Sequence, residues 1–212
     1  VTGSVRVPRG QARFACGAIA AFALVTLAAG LVAWYKYRLL AGPLARGPYV
    51  DNPLVEADTY FRNLMGWRTA LLLMALLQFS LWLASMRDVA DVLWRQGQRR
   101  RRAWLVFGWV IPVAQLFVPK MFVNDLWAAG RPEPRRRRGH PLLTAWWLSV
   151  LVAANAYGDA SGDLKKAVSA SQARHALWQI MFSDGLDICA AGLSIVVVRQ
   201  LVRRLERAAP AV

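Results

Sequence analysis

Five long apolar blocks dominate the chain, at residues 14–35, 69–85, 103–118, 141–157 and 176–198. Such runs leave few solutions. A helix crossing a bilayer needs about 20 apolar residues, within a range of about 17–25. In lipid only helices and closed barrels can satisfy their own backbone polar groups. The first and last blocks are long enough outright. The second reaches the length by taking in Gly66, Trp67 and Arg68, with the long Arg68 side chain expected to snorkel outward to water. The fourth is just long enough. The third has 16 residues, interrupted by Pro112. As a helix it covers about 24 Å, short of a hydrocarbon core of about 30 Å.

Charge decides whether that third block crosses. The chain carries 27 Lys and Arg against 12 Asp and Glu, a net charge of +15. Suppose the amino terminus is inside and the third block returns to the side it left. Then the amino-terminal arm, residues 87–102, residues 119–140 and the carboxyl-terminal tail put 19 basic residues inside and leave 8 outside. If the block crosses, the division becomes 12 inside and 15 outside. The excess of Lys and Arg in cytoplasmic loops favours the first arrangement. The expected fold is therefore an all-α integral membrane protein. It has four transmembrane helices plus one Pro-broken re-entrant or interfacial hairpin at Pro112. Residues 1–13 form a basic cytoplasmic arm, 14–198 a helical membrane domain and 199–212 a basic cytoplasmic tail. The Arg-rich, Ala/Leu/Val-rich composition suits a GC-rich bacterial genome. That places the chain in the bacterial plasma membrane as a multi-pass protein with both termini cytoplasmic.

The same charge argues little for nucleic acid, because the aromatic residues lie in the apolar blocks and not among the basic ones. Basic loops facing anionic lipid account for it. The expected partners are membrane lipid, a lipid-like small molecule or another membrane protein.

Smaller elements follow from spacing. Trp82, Met86, Val89 and Leu93 continue one apolar stripe beyond the second block, so that helix extends into the cytoplasm. Pro119 suits the first turn of a new helix. Phe122, Val123, Leu126 and Trp127 give that helix an apolar face, with Lys120 and Asp125 off it. Leu54 to Leu64 reads as a short outer helix. Residues 158–174 read as an outer loop, and Cys16 and Cys189 as small buried hydrophobes.

The stretches FSLWLASMRDV and GWVIPVAQLFVPKMFVNDLW carry a recognisable pattern. A Trp-Leu-rich span ends in Arg, and Trp, Pro, a short apolar run, Pro and Trp come after it. Trp82, Arg87, Trp109, Pro112, Leu116, Pro119 and Trp127 stand at those places. The chain thereby resembles a bacterial, largely actinobacterial, multi-pass membrane family filed as a domain of unknown function. The last span running into VVVRQLVRRLE is similar too. Asn often stands in that family where this chain has Val89 and Gln115. The resemblance implies a membrane location and a multi-span fold, with no established activity.

Chemistry points to Asp184 and Asp187. A carboxylate at mid-membrane costs on the order of 2.5–3.5 kcal/mol on insertion scales. Spacing i, i+3 puts both on one helix face, about 5–6 Å apart, where two dry carboxyls should not both ionise readily. They are the candidate catalytic acids. Their structural alternative is a packing hydrogen bond to Gln78, Gln115 or Ser149. Gln78, Trp82, Trp109, Gln115 and Trp146 are the candidate ligand-binding residues. Trp34, Trp67, Trp104 and Trp178 fall near span ends, where an interfacial belt is ordinary. No spacing of His, Cys and carboxylates suggests a metal site, and no cofactor motif is present. Two functions remain open. One is a small polytopic membrane protein binding a lipid-like ligand or a membrane partner. The other is an intramembrane enzyme, terpene cyclase-like, in which an Asp protonates an apolar isoprenoid or terpenoid substrate and Trp faces steady the cation.

Overall fold

A computed structural model describes residues 7–42, 52–94, 104, 111, 114, 116–131 and 139–208. Among them are five helices and no strand: α1 (Arg9–Leu39), α2 (Pro53–Trp94), α3 (Val118–Ala129), α4 (Pro141–Lys166) and α5 (Ala170–Ala208). Three of these, α1, α2 and α5, are long and apolar enough to cross a membrane. The chain divides into two compact units. Unit 1 takes Val1–Ala18, Met74–Trp147 and Leu193–Val212; unit 2 takes Ile19–Leu73 and Leu148–Gly192. Each of α1, α2, α4 and α5 therefore begins in one unit and ends in the other.

The buried stripe of α1 runs Ala15, Ile19, Phe22, Thr26, Ala29, Ala33, Lys36, alternating steps of three and four as a 3.6-residue helix demands. Leu24, Leu27 and Leu31 on other faces are exposed, as are Leu73 and Leu77 of α2, Leu148 and Val152 of α4, and Phe182 of α5. Large apolar side chains turned outward from all four helices suit a lipid solvent. Trp34, Trp67 and Trp178 are exposed too, as an interfacial belt requires.

Helices outrun the sequence blocks. The expected outer helix at Leu54 to Leu64 is not separate: α2 is one helix of 42 residues, about 63 Å at 1.5 Å per residue. Only Gly66 could have broken it. A glycine costs about 1 kcal/mol in a helix interior, too little against the packing of Phe61 and Met65. The outer loop expected at 158–174 shrinks to Ala167, Val168 and Ser169. There α4 continues because Ala160 and Leu164, one turn apart, pack with Ala33, Phe61, Leu177 and Ile180 in the core of unit 2. Lys165 and Lys166 close α4 with charge that suits its dipole. The extension of α2 past its apolar block stands: Trp82, Met86 and Val89 are all buried.

In unit 1, α3 starts with Pro119 in its first turn and buries Phe122, Val123, Leu126 and Trp127, as the spacing predicts. Asp125 departs from expectation, being buried rather than off the apolar face. It stands about 60° from Phe122 on the helical wheel, on the flank that Val118 widens. The two cysteines also depart: Cys16 is half-buried and Cys189 exposed. A thiol is apolar enough to face lipid, so an apolar block does not imply a protein interior. Pro112 and the proposed hairpin turn lie outside the described residues.

Candidate functional site

The site is built in unit 2 from three charges on two helices. Arg68 of α2 does not snorkel outward. It points inward with 6% of its surface exposed, because a stronger partner exists there. Its guanidinium Nη2 donates to Asp187 Oδ2 in a close ion pair, and stands 3.6 Å from Asp184 Oδ1. The guanidinium lies over the Tyr157 ring of α4, 3.7 Å from its centroid, and 5.8 Å from the Phe22 ring of α1. The Tyr157 hydroxyl in turn donates to Met65 Sδ at 3.2 Å.

Asp184 is 2% exposed and its two oxygens have no hydrogen-bond partner among the described residues. Burying a charge costs heavily unless it is paired and hydrogen-bonded. Here the spacing i, i+3 has put both carboxyls against one guanidinium, and Asp187 holds the nearer position. Arg68 Nε and Thr26 Oγ1 are among the other buried polar atoms that lack partners among the described residues. α1 comes close at Gly30. A Cβ there would sit 3.4 Å from Asp184 Oδ2, in van der Waals contact with the acid. Thr26 lies one turn before Gly30 on the same helix. A second ion pair of unit 2, Lys36 with Asp58, is capped by the Phe61 ring 4.5 Å from the Lys36 ammonium.

The other candidate residues that the structure describes fall elsewhere. Trp82 and Trp146 belong to unit 1, where Phe79 bridges them at 5.4 and 6.0 Å between ring centroids. Trp146 Nε1 donates to Ser194 Oγ at 2.8 Å, and Trp147 Nε1 to the Leu116 carbonyl at 2.7 Å. These rings are packed core. Gln78 is a half-buried residue of unit 1. Trp109 and Gln115 lie outside the described residues. Sequence reasoning found the acids and missed their partner, along with Thr26, Gly30 and Tyr157. The available signal was Arg68 itself, a charge interrupting an apolar run, which is expensive unless paired.

Residues 50–203 match the family described as Domain of unknown function (DUF4328). The chain belongs to this family. The expected kinship with a family of unknown function is met by this match. The DUF4328 stretch contains Arg68, Tyr157, Asp184 and Asp187, while Phe22, Thr26 and Gly30 precede it. No curated protein and no solved structure matches the chain.

Proposed function

We propose that this is a four-pass protein of the bacterial plasma membrane, with both termini cytoplasmic and a Pro-broken hairpin at Pro112. Its role is to bind a membrane partner or a lipid-like ligand, and its reactive group is Asp184. Two contacts in unit 1 support the topology. Arg9, at the start of α1, pairs with Glu206, near the end of α5, which asks for an even number of crossings. Arg87, late in α2, lies 5.3 Å from the Phe122 ring of α3, which favours a chain that returns between the two helices to the side it left. The fourth crossing is then α4, at 26 residues long enough for it, though Trp146, Trp147 and Asn155 dilute its apolar run.

One observation carries the reading of the site: a half-buried and a buried carboxyl share a single guanidinium, and the buried one, farther from it, has no hydrogen bond among the described residues. The trio becomes neutral only with one more positive charge, from a proton or from a cationic group of a partner. Asp184 is the member free to take it. The enzyme reading has less support. Steadying a carbocation beside these acids needs an open aromatic face, and the Tyr157 face is already occupied by Arg68.

Paired variants test the assignment. Asp187→Asn strips Arg68 of its nearer partner and should destabilise the fold by about 3–5 kcal/mol, the usual cost of breaking a buried pair. Asp184→Asn keeps the shape and removes the unmatched charge, so it should leave thermal stability in detergent unchanged or raised. Equal losses in the two variants would make Asp184 a second structural counter-ion and remove it as the reactive group.

A further inference from the structure

A second cluster of charge lies in unit 1 and has the opposite sign. Its floor is Trp127 of α3, which is buried. The Arg204 guanidinium of α5 stands 4.2 Å from the Trp127 ring centroid, Arg131 stands 6.0 Å from it, and the His140 ring is 4.5 Å away. Arg207 lies one turn beyond Arg204 and is exposed. Among the described residues neither Arg204 nor Arg207 pairs with a carboxylate. Glu206 between them is taken by Arg9. The one acid of α3, Asp125, is buried and already engaged.

The cations act on one another. Burial lowers the His140 imidazole below its ordinary range, and the charges of Arg131 and Arg204 lower it further. Burial, Arg131 and Arg207 do the same to the Arg204 guanidinium. The stem of Arg204 lies close against Gly130. A Cβ on Gly130 would meet its Cγ at 2.6 Å, so the absence of a side chain at 130 makes the seat for its stem. Cations crowded on a fixed aromatic floor form a site that an oxyanion completes.

We propose that this cluster binds the headgroup of an anionic lipid, whose phosphate charge no choline offsets, with Arg204 and Arg207 as its principal ligands and Arg131 and His140 adding charge. Position argues for lipid over free phosphate. His140 immediately precedes α4, whose first residues are Pro141, Leu142 and Leu143. Arg204 lies six residues past Val198, about 9 Å along the helix, and the headgroup layer is about 5–8 Å thick on each side of the hydrocarbon. Helical side chains lean toward the amino-terminal end of their helix. For α5 that direction is back toward the apolar segment, so a long arginine there reaches into the headgroups. The inference rests on the membrane reading above, and not on which leaflet is cytoplasmic.

The test uses the full chain in nanodiscs, which offer both leaflets and are therefore blind to orientation. Thermal midpoints are compared in phosphatidylcholine alone, in phosphatidylcholine with phosphatidylglycerol, and in phosphatidylcholine with added inorganic phosphate. Phosphatidylglycerol should raise the midpoint, free phosphate should not, and the Arg204→Gln/Arg207→Gln double variant should lose the rise. Arg207→Gln alone, at an exposed position, should lose part of it. An undiminished rise in both variants would overturn the site. An equal rise with inorganic phosphate would overturn the lipid as its source.

Discussion

At the scale of single residues, the molecule shows how burial sorts charges by partner. Arg68 and Arg204 are both arginines near apolar surface, yet one meets two carboxyls and the other meets cations. His140 reports the second environment. Its folded-state pKa lies below the ordinary 6.5, so the unfolded chain binds the proton more readily. The sign follows from linkage: the stability His140 contributes is present above about pH 6.5 and is lost as pH falls below it. His140→Gln should lose less thermal stability than the parent chain between pH 8 and pH 5, and a parallel loss in both would contradict the assigned environment. Bound phosphatidylglycerol should shrink the difference, because an anion offsets Arg131 and Arg204. At this scale the acids were legible because charge in an apolar run is costly. Their geometry was not, since nothing in a linear spacing says that α2 and α5 bring residues 119 positions apart into contact.

At the scale of elements, errors came where polar residues sat on packed helices. Gly158, Asp159, Gly162 and Asp163 read as a loop, but Ala160 and Leu164 hold that segment to the core of unit 2. Gly66 likewise does not interrupt α2. By contrast α3 was legible, because Pro119 and the 122, 123, 126, 127 spacing are local signals. One local signal went unread. Ser169-Ala170-Ser171-Gln172 is a capping sequence at the start of α5. Ser169 Oγ accepts from the Gln172 backbone N–H at 3.2 Å, and the Gln172 side-chain oxygen accepts from the Val168 N–H at 3.0 Å. Ser169→Ala should cost about 1 kcal/mol. Hydrogen exchange should quicken in the first turn of α5 and stay unchanged at Leu177 and beyond. An effect spread along the whole helix would mean that the cap is not its anchor.

At the scale of the whole molecule, the question is which segments cross. Helices α1, α2 and α5 are long and apolar enough. With three crossings the Arg9–Glu206 pair could not form, since the two ends of the chain would lie on opposite sides. The proposed four-pass topology asks for one more crossing, either α4 or the apolar block before α3. The Arg87–Phe122 contact speaks for α4, and so does the outward apolar face of Leu148 and Val152. The two ends of α4 decide the matter. Gly139 is exposed just before it, and Val168, just after it, is 91% exposed. In a chain lacking Cys16 and Cys189, Gly139→Cys and Val168→Cys should react with an impermeant thiol reagent from opposite sides. Val168→Cys should label in intact cells, and Gly139→Cys only after lysis. If both label from one side, the block before α3 is the fourth crossing, and the hairpin at Pro112 has to be abandoned.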